Sequence, residues 1–312
     1  MSEKTHLQEF AVDGIPNVLV ANIRGSVNVA PGPDGQVKIQ AAERGSDDRT
    51  RVEIGQDEDG SIYARTKYEK NGSVFGSNLQ KPNKVEYTIT VPANTDLEVK
   101  GVSSWTDVRG ITGEVRLKSV SGSVQAADLS GELRLETVSG RITAEGLSGP
   151  AELRTVSGGV RVTGSALPSL LAHSVSGSMD IETPIGDGPY EIRTVSGSAK
   201  IRSEAAPGGR IHFKSVSGSA TVNGDRLRPS GDPSRSTPRN AVYELSGEGP
   251  DIHFSSVSGN LKLVSDDYVP AEAPDVSSEA PEPVQPSRME ILEKIAGGEM
   301  TVDDAVKEMG GL

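Results

Sequence analysis

The sequence predicts an all-β fold: a parallel β-solenoid (β-helix) with two strands per coil of about 18–20 residues, followed by a small C-terminal helical hairpin. Three observations carry this expectation. The tetrapeptide Ser/Thr-Val-Ser-Gly begins at Ser119, Thr137, Thr155, Ser174, Thr194, Ser215 and Ser256, in steps of 18, 18, 19, 20, 21 and 41 residues. Apolar and polar residues alternate on both sides of every copy. Beyond Ser265 the alternation gives way to a Pro-rich acidic stretch and then to helical spacing.

The first element is the coil itself. Aligned on the motif, the columns Val115, Leu133, Ala151, Leu170, Tyr190, Ile211, Ile252 and Leu117, Leu135, Leu153, Ala172, Ile192, Phe213, Phe254 are apolar. After the motif glycine, the columns opening with Val124 and Ala126 are apolar as well, and the residues between are mostly charged or polar. Period-two alternation of this kind buries one face of a strand and wets the other. One coil cannot close a core, but stacked coils turn each column into a ladder. The motif valines Val120, Val138, Val156, Val175, Val195, Val216 and Val257 read as one more inward ladder, so Val156→Asp is expected to bury an unpaired carboxylate at a cost of several kcal/mol. The motif glycine is expected to supply a backbone φ that side chains oppose. The Ser or Thr beside it would bond the turn backbone or join a hydroxyl ladder.

Earlier coils fit the same template. Val18–Val29 places Asn22 in the Ser/Thr position, and Leu97–Val108 places Gly101 there, with Ser104 in the glycine position and Trp105 next. The solenoid is therefore expected over 10–264, in nine coils. A β-rich insertion at about 31–94 contains the strand-like runs Arg51–Ile54, Ser61–Thr66 and Val85–Val91, and is expected to cover the open N-terminal edge. The segment 225–240 (DRLRPSGDPSRSTPRN) reads as a loop thrown out between the last two coils.

The tail has its own logic. Residues 265–286 read as a disordered, acidic, Pro-rich linker. In 287–312, Ser287-x-x-Glu290 is a capping box ahead of Ile291, Leu292 and Ile295, and Gly297-Gly298 ends that helix. A second helix starts at Thr301 and offers Val302, Val306 and Met309. So short a hairpin buries too little surface to stand alone, so a protein partner or a second copy of the chain is expected on those six residues. Twelve acidic and three basic residues lie beyond 264, so the tail carries −9 of the formal net charge of −12.

At this point the repeated TVSG and SVSG turns between alternating strands, over roughly 10–264, resemble the bacterial β-strand-repeat family labelled "putative adhesin", of largely unknown function. The ending ILEKIAGGEMTVDDAVKEM resembles the short two-helix (SHOCT-like) domain that accompanies this family. The resemblance implies a solenoid and, in some members, a link to cell-envelope stress. It implies no catalytic residues.

The composition narrows the chemistry. With no cysteine, disulfides, thiolate metal sites, iron–sulfur clusters and a cysteine nucleophile are excluded. Eleven aromatic residues are too few for a broad aromatic-lined pocket. An acidic chain repels nucleic acid, and no run of about 18 apolar residues spans a bilayer. The opening MSEKTHLQEF lacks the basic and apolar parts of a secretory leader, which leads to the expectation of a cytoplasmic protein. His212 and His253 share an outward column, but two imidazoles with no carboxylate in that column make a poor zinc site. His6 reads as an isolated terminal residue, and the clusters Asp47-Asp48 and Asp57-Glu58-Asp59 read as turn residues. No catalytic, cofactor or metal residue is expected.

The best candidate surface is the outward column Lys118, Glu136, Arg154, His173, Arg193, Lys214, mainly basic and suited to an anionic polymer or an acidic protein segment. Its neighbour (Arg116, Arg134, Glu152, Leu171, Glu191, His212) mixes signs and would offset part of that charge. The functional expectation is a non-enzymatic solenoid scaffold with the hairpin as a second contact. A carbohydrate-active solenoid enzyme and a self-assembling filament subunit are the alternatives.

Overall fold

The computed structural model describes residues 3–69, 81–186, 188–204, 208–227, 240–245 and 249–265. Among them every regular element is a β-strand, and the chain divides into two compact units, Met1–Ala166 and Leu167–Leu312.

The first unit opens with β1 (Glu3–Ala11), β2 (Asn17–Pro31), β3 (Gln36–Arg44), β4 (Thr50–Gln56), β5 (Ile62–Tyr68), β6 (Lys84–Val91) and β7 (Asp96–Arg109). Short strands follow in pairs: β8 (Val115–Ser119) with β9 (Val124–Ala127), β10 (Leu133–Thr137) with β11 (Ile142–Glu145), and β12 (Ala151–Thr155) with β13 (Val160–Thr163). Two parallel ladders run through them, β7–β8–β10–β12 and β7–β9–β11–β13. Their register keeps each column intact, for example Val99↔Leu117↔Leu135↔Leu153. A third side closes each coil through single bridges, Asn94↔Thr112↔Ser130↔Ser148↔Ala166, with Ile111, Leu129 and Leu147 buried beside them.

β2 is itself a coil, paired in parallel with β7 on one side and with β5 and β6 on the other. Beyond those the pairing turns antiparallel: β4 on β5, β3 on β6 and β1 on β3. The outermost strand, β1, is mostly exposed and carries Glu3 and Glu9 in ion pairs with Arg44 and Lys38, at 3.4 and 2.8 Å. Charged side chains on an edge discourage further strand addition. Asn22 fills the inward slot that later coils give to Ser or Thr. It donates to the Val85 carbonyl (2.8 Å) and to Ser104 Oγ (3.1 Å), and accepts from Thr66 Oγ1 (3.2 Å). Thr66 also bonds the Tyr87 hydroxyl, whose pKa burial pushes up to about 12.

The second unit contains β14 (Leu170–Ser174), β15 (Met179–Glu182), β16 (Tyr190–Thr194), β17 (Ala199–Ser203), β18 (Arg210–Ser215), β19 (Ala220–Val222), β20 (Asp225–Arg226), β21 (Asn240–Glu244), β22 (Asp251–Ser256) and β23 (Leu261–Ser265). Here chain order and stacking order part company. The parallel ladders run β14–β16–β22–β18 and β15–β17–β23–β19, so the last coil in the chain lies between two earlier ones. β21 then pairs antiparallel to the far edge of β18, and β20 to β19. The expected sequential order is thus corrected, as is the reading of all of 225–240 as loop. Equivalent repeats fit any neighbour, so the column pattern cannot reveal their order. Phe254 stacks on Phe213 at 5.4 Å between ring centres, and Tyr243 of β21 packs on Phe213 at 6.1 Å.

The apolar columns on both sides of the motif are buried throughout. The valine column is not. Val120, Val138 and Val156 are 44–46% exposed, against 9% or less for Val195, Val216 and Val257. In the first unit the alternation runs on through the motif: Leu117 and Ser119 both point inward, so Val120 between Ser119 and Ser121 points out, whereas in the second unit Val195, Val216 and Val257 hold the same phase and are buried. The inward slot belongs to the hydroxyl. Ser119, Thr137, Thr155, Ser174 and Thr194 each accept the N–H of the glycine three residues on, at 2.8–3.0 Å, and Ser256 does the same for Gly259. The role expected of the motif glycine also changes. None of the seven has a positive φ. Their need is space: a Cβ on Gly140, Gly158 or Gly197 would lie 1.6–2.0 Å from the carbonyl oxygen of the glycine in the neighbouring coil.

Candidate interaction surface

In the first unit the register places Lys118, Glu136 and Arg154 in one outward column and Arg116, Arg134 and Glu152 in the next. Their charges interlock. Glu136 meets Lys118 at 3.4 Å and Arg134 at 2.7 Å, Arg134 reaches Glu152 at 3.0 Å, and Arg154 pairs with the same Glu152. Partial burial pushes the Glu136 carboxyl up, but the Arg134 hydrogen bond and the Lys118 charge outweigh it and hold it below the usual carboxylate range. In the second unit His173 sits beside Arg193, but Ser255 separates Arg193 from Lys214 because β22 lies between their strands. Arg193 pairs with Glu191. In the first unit the column is therefore a neutralised zigzag rather than a row of cations, and in the second it is interrupted by Ser255.

A different row stands out in the first unit. Val102, Val120, Val138 and Val156 occupy the same corner of four coils and are 44–47% exposed. Backbone bonds between corners hold them in step: Ser121 N–H donates to Val102 O (2.8 Å), Ser139 to Val120 O (2.9 Å) and Ser157 to Val138 O (2.9 Å). Trp105, 40% exposed, lies by a shallow groove of about 420 Å³ lined also by Ser121, Ser123, Gln125 and Ser139. Contiguous exposed apolar side chains on a soluble surface mark contact sites.

The second unit has a groove of about 590 Å³ lined by Glu191, Arg193, His212, Lys214, Val242 and His253. His212 and His253 stack at 4.5 Å with ring planes 9° apart, a contact that the shared column anticipates. Asp251 joins them from two residues before His253, with Oδ2 3.3 Å from His212 Nε2. The Arg210 guanidinium, bonded to both Asp251 oxygens at 3.1 and 3.4 Å, and then the His212 hydrogen bond hold the Asp251 carboxyl below its ordinary range.

With this geometry in hand, the family model described as Toastrack DUF4097 matches residues 18–264, most of the chain and every coil described above. The chain belongs to the Toastrack DUF4097 family. This agrees with the resemblance drawn from its TVSG and SVSG turns. No curated protein matches the sequence. Among solved structures, a "putative adhesin" from Bacteroides fragilis is similar at 14% identity, with 83% of this chain and 97% of that one covered and a TM-score of 0.45. Another from Parabacteroides merdae is similar at 11% identity, 83% and 96% coverage and a TM-score of 0.42. A "putative cell adhesion protein" from Clostridium sporogenes aligns at 12% identity over 84% and 100% of the chains, with a TM-score of 0.28.

The remaining sequence candidates take these places in the Toastrack chain. Asp47 accepts from Arg49 Nε and Nη2 (2.8 and 2.7 Å) and from the Tyr68 hydroxyl (3.2 Å), and the Arg49 hydrogen bond is the main reason its pKa falls to about 2. Asp59 accepts the Ser61 backbone N–H at 3.0 Å in a tight turn. His6 lies 3.8 Å from Glu43, which is itself bonded by Asn83 Nδ2 at 2.7 Å. Ile291, Leu292, Ile295, Val302, Val306 and Met309, and the hairpin expected to carry them, lie outside the described residues. Sequence reasoning missed Asp251 as a neighbour of the histidines and misplaced Val120, Val138 and Val156, while Val195, Val216 and Val257 are buried as expected. Strict alternation outward from Leu117 finds the three exposed valines of the first unit.

Proposed function

We propose that this chain is a non-enzymatic repeat scaffold that holds a protein partner along the outward valine row of its first unit, with the segment 287–312 as a second contact. The carrying observation is the row itself: Val102, Val120, Val138 and Val156, half exposed and held in step by the coils. Parallel strands repeat at about 4.8 Å, so an extended or helical partner segment meets one methyl pair per coil. The envelope-stress link implied for some members of the family it resembles suggests a setting in cell-envelope assembly or stress. A carbohydrate-active enzyme would need two carboxylates facing each other across a sugar-width cleft. Glu136 and Glu152 in the first unit and Glu191 in the second each lie against an arginine instead. Filament growth by coil stacking is opposed by the antiparallel strands β1 and β21 on the outer edges of their sheets.

The test compares the wild type with the triple variant Val120→Ser, Val138→Ser, Val156→Ser, and with a chain ending after Ser265, the last residue of β23. Full burial of a valine is worth about 1.5–3 kcal/mol, so covering three half-exposed ones gives roughly 3 kcal/mol, or about a hundredfold in Kd. The protein captured by wild type and identified should bind the purified triple variant about a hundredfold more weakly, at unchanged melting temperature. The truncated chain should stay folded and bind less well. Full affinity in the triple variant overturns the reading.

A further inference from the structure

We infer that His212, His253 and Asp251 form a zinc site that staples the out-of-order coil of the second unit in place. The three side chains offer two imidazole nitrogens and a carboxylate oxygen, all within 4.8 Å of one another. Zinc binds nitrogen and oxygen ligands at about 2.0–2.2 Å, so two ligand atoms at a tetrahedral angle stand roughly 3.3 Å apart. His212 Nε2 and Asp251 Oδ2 are already 3.3 Å apart. His253 reaches the same ion by tilting out of its stack on His212, where the ring centres are 4.5 Å apart and the planes 9° apart, because an imidazole binds a metal in its own ring plane. The side chains of His212 and Asp251 are 34% and 37% exposed and His253 is exposed, so an ion reaches them without the fold opening.

The surroundings suit the role. Arg210 grips both Asp251 oxygens and fixes the carboxylate plane, as outer partners of metal ligands do. A carboxylate has about four lone-pair sites, so two arginine bonds leave room for a metal. Three protein ligands leave the fourth position to water from the adjoining groove. The ligands also come from different strands. His212 is on β18 and His253 and Asp251 on β22, paired in register although 41 residues separate the two histidines. An ion joining them would tie the last coil of the chain to the earlier one it lies against. Sequence columns place the two histidines together but not Asp251. The third ligand comes from the same strand, one alternation step away.

The experiment uses the full chain without a histidine tag, stripped of metal with a chelator, and titrated with zinc chloride by calorimetry and by competition with a chromophoric chelator. One zinc per chain is expected, with a melting temperature raised by roughly 5–10 °C at a hundredfold excess over Kd. His212→Ala and His253→Ala should each weaken binding at least tenfold, and Asp251→Asn should do so while keeping the fold. The double variant His6→Ala, His173→Ala should bind as wild type does. Melting of each variant without zinc separates lost ligation from lost folding. Calcium and magnesium should not compete, since imidazole is a poor ligand for them. Absence of saturable binding, or zinc binding that survives both His212→Ala and His253→Ala, overturns the proposal.

Discussion

Replacing Gly140 by alanine isolates what holds neighbouring coils together. Gly140 has no left-handed backbone angle, so alanine there meets no intrinsic conformational penalty. Its Cβ would instead lie 2.0 Å from the Gly122 carbonyl oxygen, 2.7 Å from the Gly122 carbonyl carbon and 2.7 Å from Thr137 Oγ1. Non-bonded heavy atoms settle above about 3 Å, so the corners must part by roughly 1 Å. That movement strains the bonds joining this corner to the one before, Val138 N–H to Ser119 O at 3.1 Å and Ser139 N–H to Val120 O at 2.9 Å. Overpacking costs about 1–3 kcal/mol, and each weakened hydrogen bond up to about 1.5 kcal/mol. The sum is about 2–6 kcal/mol, or a fall in melting temperature of roughly 5–20 °C for a unit of this size. Gly164→Ala is the matched control: φ there is +54°, and nothing lies within 4 Å of an added Cβ. It should cost only about 1–2 kcal/mol of left-handed strain. Calorimetry or far-ultraviolet circular dichroism reads both. If Gly140→Ala melts within about 2 °C of wild type, the close approach of the corners is not what requires glycine.

Two further outcomes follow from the same structure. The Asp47 carboxyl titrates at about 2 when folded and near 3.9 when unfolded, so its contribution is full above pH of about 4 and is lost as pH falls through about 2. Asp47→Asn should flatten the stability curve across that window, and an unchanged acid limb would show that Arg49 does not hold the carboxylate. The stacking order is open to cross-linking, since the chain has no cysteine of its own. Lys262 pairs with both Lys200 and Thr221, so cysteine pairs at 200/262 and 221/262 should oxidise, while 200/221, about two strand spacings apart, should not. A 200/221 bridge would restore the sequential order.

Much of the fold is legible because a repeat writes the same physics many times. Val115, Leu117, Val124 and Ala126 and their counterparts are inward in every coil, since only stacked columns can bury so short a strand. What stayed hidden is what repetition cannot encode. The coil 251–265 satisfies the template equally well beside β16 or beyond β18, and in the structure β21 occupies the outer edge of β18 instead. The valines of the first unit misled because hydropathy there yields to phase. Ser119 and Thr137 are polar yet buried, occupied by the glycine N–H, and this turns Val120 and Val138 to solvent. The basic column was visible in outline, but its neutralisation by Glu136 and Glu152 depends on side chains crossing between columns. Asp251 escaped notice because it belongs to a neighbouring column and reaches the histidines only through its side chain.

The central claim is that the first unit offers its motif valines to a partner while keeping the flanking columns as core. Single cysteines test it directly. Val138 is 44% exposed and Leu135, three residues earlier, is fully buried. Under native conditions Val138→Cys should react with a thiol reagent within about tenfold of its rate in denaturant, and Leu135→Cys at least about a hundredfold more slowly, because it must wait for unfolding. Equal protection of the two cysteines would put the valines in the core and remove the surface on which the proposed function rests.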